Sequence, residues 1–399
     1  MIALAPPATD GPLLAFAGGG TGGHLYPSIA VAEAIRRRRP DARFAFFGTR
    51  RLIDRQILDR VECEFVPQEL PSLSWVPWRV VNAFLGFRKA CQACRERFIV
   101  DRPVVVVGTG GMASVPPVRE AARAGIPTAL FNPDALPGRA NHHLAGLAGC
   151  VFAQFEETIA NFPRGVPVVI SGCPVRPEFQ TARRQDGIER FGLDPNRKTL
   201  LITGASQGAR TVNRAVVANA DFLAARRDWQ VLHLTGEMDF ELVSAGYRGR
   251  GVPVKIAAYT EQMAEAMAAA DLIVSRAGAS TLAEIIAVGR ASILMPYPFH
   301  RDQHQLVNAR CLARVGGARI VNDAIDPVAN APALRAALDE LMRADDIREK
   351  MGRAARSVGG QGGGTAELIA DRLLEMSGLR GDAEAPGGCV PQLETVKAL

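Results

Sequence analysis

Residues 16–27 read FAGGGTGGHLYP, with five glycines among six consecutive positions and a histidine directly after them. An apolar run, Leu13–Ala17, precedes this stretch, and an apolar-periodic segment, Leu25–Ile35, follows it. The pattern predicts a strand, a tight turn and a helix. Glycine lets the backbone approach a ligand closely, and a helix N-terminus offers unpaired N–H groups and positive dipole character. The stretch therefore predicts a cradle for a phosphate or a sugar.

Short apolar, β-branched runs alternate with alanine-rich helical segments along the whole chain. Runs that are apolar throughout and separated by helices indicate parallel strands covered on both faces. The predicted strands are Leu13–Ala17, Arg43–Phe47, Val104–Val107, Thr128–Phe131 and Cys150–Ala153, then Thr199–Thr203, Gln230–Leu234, Val254–Ala257, Leu272–Ser275 and Ala291–Met295. We therefore expect an α/β fold of two Rossmann-like, doubly wound parallel-sheet domains facing across a cleft, with ligands at the carboxyl ends of the strands.

The domain organisation follows from length and composition. The 399 residues exceed the usual size of a single hydrophobic core. Between Arg176 and Lys198 the sequence is polar and interrupted by prolines, which is typical of a linker. We expect an N-terminal domain over 1–180, a C-terminal domain over 181–365, a last helix over 366–378 that can pack back on the first domain, and a disordered tail over 379–399.

Charge and cysteine content restrict the environment and the partners. The composition, 48% hydrophobic and 22% charged, is that of a globular protein, and the net charge of +6 favours anionic partners. Seven scattered cysteines fit a reducing compartment better than a disulfide framework. Residues 1–12 do not resemble a signal peptide, and no uncharged apolar run approaches the ~18–20 residues that cross a bilayer. We expect a cytoplasmic protein, with only peripheral membrane association.

The first glycine loop also matches G-x-G-x-x-G, between residues 18 and 23, which is the fingerprint of a dinucleotide-binding enzyme. Such an enzyme carries an acidic residue at the end of its second strand to hold a ribose. Here that strand ends in Gly-Thr-Arg at 48–50. NAD is therefore disfavoured, whereas an NADP-dependent oxidoreductase, with Arg50 or Arg51 on the extra phosphate, stays as an alternative.

A second glycine loop occupies the equivalent place in the second half of the chain. Residues 199–216, TLLITGASQGARTVNRAV, predict a strand, a loop at Gly204–Gly208 and a helix. Ser206 and the loop amides could hold a diphosphate, with the helix dipole behind them; a simple packing turn is the alternative. With two such loops, one domain would hold a nucleotide diphosphate and the other would present a nucleophile.

A third set of polar residues follows the predicted strand at 272–275. A small-residue turn, Gly278–Ser280, precedes a helix predicted from Thr281 to Val288. Glu284 is expected on the first turn of this helix, where the dipole favours a carboxylate that could accept from both ribose hydroxyls. His304 and Gln305 open the next predicted helix and could reach the hydroxyls of a sugar.

Six motifs, GGGTGGH, GTGGMAS, SGCPVR, GASQGAR, SRAGASTLAE and DQHQLVNA, occur in this order. In these motifs the chain resembles the MurG family of inverting GT-B glycosyltransferases, from about Leu13 to Met376. That family adds N-acetylglucosamine from UDP-GlcNAc to undecaprenyl-pyrophosphoryl-MurNAc-pentapeptide (lipid I), which gives lipid II in peptidoglycan synthesis. The resemblance implies UDP-GlcNAc and a polyprenyl-pyrophosphate-linked muramyl-peptide acceptor as partners, with no cofactor.

The resemblance also implies residue roles. In a single in-line displacement, His24 would act as the base that takes the proton of the acceptor hydroxyl, since imidazole suits proton transfer near neutral pH. The alternative is a histidine in the first turn of a helix that only bonds the backbone or a phosphate, and Asp134 is the rival base. Thr260 would contact the uracil through its backbone. The residues expected to bind substrate are Thr21, Gly22, Gly23, Asp134, Arg176, Ser206, Thr260, Ala279, Ser280, Thr281, Leu282, Ala283, Glu284, His304 and Gln305.

The chain departs from the family pattern at three places. Residues 131–134 read FNPD where the family commonly has HEQN, Met112 stands where an aromatic residue is frequent, and Cys173 where asparagine is frequent. All three lie in the expected acceptor domain. A related enzyme that glycosylates a different lipid acceptor therefore stays as an alternative, as does a catalytically silent protein that binds a nucleotide sugar.

Residues 70–91, LPSLSWVPWRVVNAFLGFRKAC, mix aromatic and cationic side chains. Aromatic rings suit a bilayer interface and cations suit anionic lipid head groups; a core-packed helix with a basic outer face is the alternative. The expected membrane patch consists of Trp75, Trp78, Phe84, Phe87 and Arg88. Because a polyprenyl-linked acceptor stays in the membrane, we expect peripheral binding to an anionic membrane surface, on the cytoplasmic side of the inner membrane.

Neither a metal nor a nucleic acid is expected. The residues between His300, Asp302 and His304 are not those of a zinc motif. Cys91 and Cys94 lack a second pair of ligands. The basic residues are dispersed and accompany no recognised nucleic-acid-binding motif.

Overall fold

The computed structural model describes residues 10–70, 77–204, 208–299, 302–358, 364–379 and 396–397, with the backbone alone at 77–83, 327 and 396–397. The chain divides into two compact units. The first comprises Met1–Pro174 and Gly364–Leu399, and the second comprises Val175–Gly363. The units therefore divide at Pro174, close to the expected boundary at residue 180, and that functional boundary stays a prediction. Of the tail expected to be disordered, residues 380–395 and 398–399 lie outside the described part of the chain.

The first unit is built on an eight-stranded sheet. Its strands are β1 (Leu13–Gly18), β2 (Arg43–Thr49), β3 (Glu64–Gln68), β4 (Val105–Gly110), β5 (Thr128–Asn132), β6 (Cys150–Ala153), β7 (Pro167–Ile170) and β14 (Val396–Lys397). They lie in the order β14-β7-β6-β5-β4-β1-β2-β3, and every pair is parallel except β14 with β7.

Six α-helices accompany this sheet in the described residues of the first unit. They are α1 (Gly22–Arg38), α2 (Leu52–Leu58), α3 (Pro77–Val100), α4 (Val115–Arg123), α5 (Arg139–Leu144) and, from the end of the chain, α16 (Thr365–Met376). The last helix packs beside α1, where Arg37 pairs with Glu367 at 2.7 Å and Arg38 pairs with Asp371. No helix within the described ranges has the length and apolar character that crossing a membrane requires.

The second unit contains a six-stranded parallel sheet in the order β10-β9-β8-β11-β12-β13. Its strands are β8 (Lys198–Thr203), β9 (Trp229–Leu234), β10 (Val254–Ala257), β11 (Leu272–Ser275), β12 (Ser292–Leu294) and β13 (Ala318–Ile320). Its helices are α6 (Glu178–Thr181), α7 (Arg184–Phe191), α8 (Arg210–Ala218), α9 (Ala220–Ala224), α10 (Phe240–Tyr247), α11 (Met263–Ala269), α12 (Ala279–Val288), α13 (His304–Arg314), α14 (Pro327–Arg343) and α15 (Asp345–Arg356).

The central strands are buried along their whole length, because helices cover both faces of each sheet. Every residue of β1, β4, β9 and β11 is buried, which is why these strands read as continuous apolar runs rather than as alternating ones. Every strand expected from the sequence is present. The expected α/β class, two Rossmann-like parallel-sheet domains, is confirmed.

The strand order reverses between β1 and β4 in the first sheet and between β8 and β11 in the second. In doubly wound sheets, ligands bind beyond the carboxyl ends of the strands at such a reversal. The first glycine loop follows β1, and the GTGGMAS segment ends β4 and continues beyond it. The second glycine loop follows β8, and the SRAGAST segment follows β11. Topology therefore places the four main sequence motifs at the two positions where each unit can hold a ligand.

Candidate active site

The first glycine loop encloses a buried carboxylate that the sequence did not single out. Asp54, in the first turn of α2, has no exposed surface. Its Oδ1 accepts a hydrogen bond from the Gly20 N–H at 2.7 Å, and its Oδ2 accepts from the Thr49 N–H at 2.8 Å and the Thr49 hydroxyl at 2.7 Å. A Cβ on Gly19 would lie 2.3 Å from Asp54 Oδ2. Glycine is required at position 19 because the loop backbone approaches this carboxylate so closely.

His24 lies in the first turn of α1, which begins at Gly22 after the extended Thr21. The His24 Nδ1 is 3.0 Å from the Gly19 carbonyl oxygen. A carbonyl oxygen only accepts, so Nδ1 carries the proton and the neutral ring keeps its lone pair on Nε2. A Cβ built on Gly110 would lie 3.4 Å from Nε2, so the glycines that end β4 leave room beside this nitrogen. The ring is therefore arranged to accept a proton at Nε2.

A groove of about 1690 Å³ in the first unit includes His24. Its lining also contains loop residues 19–21, Met112 and the segment 84–89 of α3. Its charged lining residues are Arg50, Arg51, Arg88, Lys89, Arg95, Arg119, Arg123, Glu69 and Glu96. Cations outnumber carboxylates in this lining, so the groove favours an anionic ligand.

The residues of the expected membrane patch differ in exposure, and not all of them lie in the described part of the chain. Trp75 lies outside the described residues, and only the backbone of Trp78 is described. Phe84 is 59% exposed, and the Arg88 guanidinium lies 5.8 Å from the centre of its ring. Phe87 is half-buried against the core of the first unit. The two interpretations of this helix therefore apply to different residues: Phe84 is a surface aromatic, whereas Phe87 packs inward.

Asp134 follows β5 and is half-buried. Its carbonyl oxygen accepts a hydrogen bond from the buried Asn132 side chain at 2.6 Å. Asn141, also buried, donates to the Phe131 carbonyl at 2.9 Å and to Asn132 Oδ1 at 3.1 Å. Asp134 is not among the described residues that line the groove around His24. The FNPD segment thus forms the end of β5 and the start of the loop after it. His24 as the base, with Asp134 as its rival, stays a prediction.

In the second unit, the loop after β8 is confined by its glycines. A Cβ on Gly204 would lie 2.2 Å from the Ala209 nitrogen, and one on Gly208, where φ is 71°, would lie 2.4 Å from the Thr235 carbonyl oxygen. Neither of these two glycines therefore has room for a side chain, because Gly204 lies against Ala209 and Gly208 lies against Thr235 directly after β9. Ser206, expected to hold a diphosphate, lies outside the described residues.

A buried ion pair supports the loop after β11, and the sequence did not reveal it. Arg276 donates to Asp323 Oδ2 at 2.7 Å, to the Thr211 hydroxyl at 2.7 Å and to the Met295 carbonyl at 2.9 Å. Burial acts to raise the pKa of Asp323, but donors that include Thr211, Asn330 and Arg276 outweigh it and hold the pKa below its ordinary value. The pair therefore links the residue that follows β11, Arg276, to the segment that follows β13, where Asp323 lies.

The expected position of Glu284 on its helix is wrong. α12 begins at Ala279, with Gly278 as its N-cap in an extended conformation, so Glu284 lies in the second turn. Of the three small residues taken for a turn, Ala279 and Ser280 are helical and Gly278 is the N-cap, a position at which glycine is accepted. Glu284 is half-buried. Desolvation raises its pKa to about 7, while the charge of nearby Arg176 opposes the rise.

The other expected binding residues of the second unit occupy strand ends and helix starts. Ser280 and Thr281 are half-buried, whereas Ala279, Leu282 and Ala283 are buried. Thr260 follows β10, where its hydroxyl accepts from the Gln262 N–H at 3.0 Å.

α13 begins at His304, as expected. His304 Nδ1 lies 2.9 Å from Asp302 Oδ1. The Gln305 side-chain oxygen accepts from the backbone N–H groups of Ala277 at 3.2 Å and Tyr297 at 3.0 Å. Since these two bonds occupy the oxygen, Gln305 would offer a sugar its NH₂ group.

Comparison with known proteins supplies the family. The family model described as the glycosyltransferase family 28 N-terminal domain matches residues 14–153, and the one for the C-terminal domain matches 199–362. A relative from Moorella thermoacetica, named UDP-N-acetylglucosamine–N-acetylmuramyl-(pentapeptide) pyrophosphoryl-undecaprenol N-acetylglucosamine transferase, is 37% identical over 86% of this chain and 94% of its own length. The chain belongs to the MurG family. A Bacillus subtilis relative of the same name is 34% identical over 87% of this chain and 95% of its own length.

Solved structures agree on the fold of the MurG family. Acinetobacter baumannii MurG superimposes with a TM-score of 0.73 at 23% identity, covering 91% of this chain and 99% of that one. A Neisseria meningitidis UDP-GlcNAc 2-epimerase gives a TM-score of 0.64 at 14% identity, covering 91% of this chain and 100% of that one. At these identities the likeness establishes the GT-B fold alone. Membership of the MurG family gives no support to the alternative of an NADP-dependent oxidoreductase.

Within the part of the chain that is described, no three His, Cys, Asp or Glu residues are grouped to hold a metal ion. His300, one of the three spaced residues considered from the sequence, lies outside that part.

The MurG motifs form two separate sets, one in each unit. The first contains Thr21, Gly22, Gly23 and His24, and the second contains the residues from Ala279 to Glu284 together with Gln305.

Proposed function

We propose that this protein transfers N-acetylglucosamine from UDP-GlcNAc to the 4-hydroxyl of MurNAc in undecaprenyl-pyrophosphoryl-MurNAc-pentapeptide, converting lipid I to lipid II. One observation carries the proposal: relatives with this named activity align over 94% of their own length at 37% identity. The proposal makes the second unit the donor site, with Glu284 on the ribose, Thr260 beside the uracil and His304 and Gln305 on the sugar.

The reaction is a single displacement that inverts the anomeric carbon. The 4-hydroxyl oxygen of the acceptor bonds to C1 of N-acetylglucosamine, the bond from C1 to the diphosphate breaks, and UDP leaves. His24 Nε2 takes the hydroxyl proton. We assign the stabilisation of the negative charge that develops on the leaving diphosphate to backbone amides of residues 204–208 and to the N-terminus of α8, because amide donors and a helix dipole stabilise an anion.

The groove beside His24 is the proposed acceptor site. Its cations suit a pyrophosphate, because guanidinium groups bind phosphate oxygens in a bidentate manner. Phe84 and Leu85, both more than half exposed, lie at the same groove. The arrangement supports peripheral attachment to an anionic membrane surface, which we place at the cytoplasmic face of the inner membrane because the lipid-linked acceptor resides in the bilayer.

A transfer assay tests the function directly. Radiolabelled UDP-GlcNAc is incubated with a lipid I analogue and, in parallel, with a diacylglycerol acceptor. Transfer to the lipid I analogue alone supports the proposal. Transfer to diacylglycerol alone would favour the related enzyme that glycosylates another lipid, the alternative to which Met112, Cys173 and the FNPD segment point.

Binding of UDP-GlcNAc should strengthen as the pH rises through about 7, up to about tenfold between pH 6 and pH 8. The pKa of Glu284 is raised to about 7 by desolvation, so the carboxyl group is mostly neutral at pH 6 and mostly ionised at pH 8. Only the ionised form offers four lone pairs to the ribose hydroxyls. Calorimetric titration across this range measures the effect. In Glu284→Gln the affinity should be lower and independent of pH; an unchanged pH slope in that variant would assign the effect to another group.

Substituting Phe84 with aspartate should weaken binding to phosphatidylglycerol vesicles. The ring is 59% exposed, and a carboxylate there both removes apolar contact and repels anionic lipid. Sedimentation with vesicles measures the bound fraction, and phosphatidylcholine vesicles separate the apolar from the electrostatic contribution. Met238→Asp, at a residue of the second unit that is 83% exposed, is the matched control. Equal loss of binding in both variants would show that added charge alone, rather than this surface, is responsible.

A further inference from the structure

A single peptide group lies between the buried carboxylate of Asp54 and the imidazole of His24. Its N–H, which belongs to Gly20, donates to Asp54 Oδ1 at 2.7 Å. Its carbonyl oxygen, which belongs to Gly19, lies 3.0 Å from His24 Nδ1. The carboxylate and the imidazole are thus joined through two hydrogen bonds on opposite sides of one planar, conjugated group.

We propose that Asp54 is a positioning residue for the catalytic base and acts on His24 through the Gly19–Gly20 peptide group. The proposal rests on the proposed function, in which His24 Nε2 receives the acceptor proton. A carboxylate that accepts from the Gly20 N–H polarises the peptide group and makes the Gly19 oxygen a stronger acceptor. Hydrogen bonds in such chains strengthen one another by about 10–30% per bond.

The first consequence concerns the tautomer of His24. The stronger acceptor at Gly19 holds the ring proton on Nδ1 and keeps the lone pair on Nε2, beside Gly110, in a side chain that lines the groove. The second consequence concerns charge. When Nε2 takes the proton of the acceptor hydroxyl, the ring becomes an imidazolium, and the polarised carbonyl stabilises it. The Nδ1 and Gly20 protons stay where they are, so Asp54 neither gains nor loses a proton in the step.

The packing around the peptide group supports this arrangement. Asp54 is fully buried, and its other partners, the Thr49 N–H and hydroxyl, are donors at 2.8 Å and 2.7 Å. Three donors therefore fix the carboxylate in place. A Cβ at Gly19 would lie 2.3 Å from Asp54 Oδ2, so the contact exists only because residue 19 is glycine. If Asp54 only held the loop closed, the Gly19–Gly20 peptide group that it binds would not need to contact the His24 ring.

Nitrogen NMR of the wild-type protein gives the first test. The chain has six histidines, and the His24 ring signal is identified as the one missing from His24→Ala. At a pH where the ring is neutral, we expect the proton on Nδ1. A proton on Nε2 would overturn the proposal without reference to any other variant or to activity.

Kinetics of Asp54→Asn give the second test. We expect kcat for transfer to fall by about 10–100-fold, the cost seen when the hydrogen-bond partner behind a metal-bound histidine is removed, with KM for UDP-GlcNAc unchanged. In a His24→Ala background the same substitution should have no further effect on kcat, because its action passes through the ring. An equal loss of kcat in both backgrounds would reduce Asp54 to a structural role.

Two further variants separate charge from structure. Asp59→Asn removes the charge of an exposed carboxylate that directly follows the same helix and lies 3.8 Å from Arg55, so kcat and the His24 tautomer should stay close to wild type. Asp54→Glu keeps a carboxylate and should retain more activity than Asp54→Asn. The proposal fails if Asp59→Asn matches Asp54→Asn, or if Asp54→Glu is no better. Wild-type protein that transfers to neither acceptor would contradict the proposed function instead, and the tautomer measurement would still decide the role of Asp54.

Discussion

We expect the His24→Ala variant to transfer N-acetylglucosamine ~10²–10⁴ times more slowly than the wild type, the usual contribution of a general base. The reason is geometric as well as chemical. Nδ1 faces the Gly19 carbonyl at 3.0 Å, which leaves Nε2 as the proton acceptor of a side chain that lines the groove. The loss should appear in kcat, while KM for UDP-GlcNAc stays the same because His24 belongs to the other unit. Steady-state transfer assays with a lipid I analogue measure both quantities.

His143→Ala is the matched control, since this exposed histidine of α5 lies in the same unit and outside the proposed site. Its turnover should equal that of the wild type. Added imidazole should partly restore turnover in His24→Ala, because the truncated side chain leaves space beside Gly110 and Gly111. Normal turnover in His24→Ala would remove this residue from catalysis and leave Asp134 as the candidate base.

The sequence predicted the central strands of both sheets and the edge strand β10, and missed β3, β7, β13 and β14, which lie at or near edges. The central strands are continuous apolar runs, and this pattern arises because helices cover both faces. β3 and β7 each contain a proline, at Pro67 and Pro167, which argues against a strand when only the sequence is known. β13 has three residues, too few to show any period. The strands that were missed are therefore defined by their hydrogen bonds to neighbouring strands, and their own sequence pattern does not reveal them.

The candidate site shows a similar division. His24 and Glu284 could be found because they lie within local motifs that begin helices. Asp54 lies 34 residues after the Gly20 amide that it binds, and Asp323 lies 47 residues after Arg276. No local pattern records such a pair, because the contact exists only after the strands have assembled. A buried aspartate in the first turn of the helix after β2 was the one signal that could have drawn attention to Asp54.

The error at Glu284 has a local cause. Gly278, Ala279 and Ser280 resemble a turn by composition, but only Gly278 is extended, and the helix starts directly after it. The carboxylate therefore lies one turn deeper than the helix dipole would favour. Burial, rather than the helix terminus, dominates its electrostatics, which accounts for a pKa that is raised rather than lowered.

Replacing Asp323 with alanine should destabilise the second unit by about 3–5 kcal/mol, the range seen when one partner of a buried ion pair is removed. The Arg276 side chain is 10% exposed and that of Asp323 is fully buried, so the remaining guanidinium would be left in a poorly solvated position. The Asn330 side chain and the Ile325 N–H, which donate to Asp323 Oδ1 at 2.7 Å and 2.8 Å, would lose their acceptor as well.

Urea unfolding measured by Trp229 fluorescence can isolate this effect. Trp229 is buried in β9 of the second unit, and replacing the other two tryptophans, Trp75 and Trp78, with phenylalanine leaves it as the only reporter. Asp346→Ala, which breaks an exposed pair with Lys350 at 3.4 Å, should cost no more than about 1 kcal/mol.

The effect of Asp323→Ala should also depend on pH in a defined direction. Because the pKa of Asp323 is lowered in the folded protein, its ionised form stabilises the second unit at pH values above the ordinary aspartate pKa. This stabilisation is lost as the pH falls through the lowered value. The difference in unfolding free energy between wild type and variant should therefore be largest near neutral pH and shrink in acid. A difference that stayed constant down to pH 2 would mean that Asp323 contributes through packing and not through its charge.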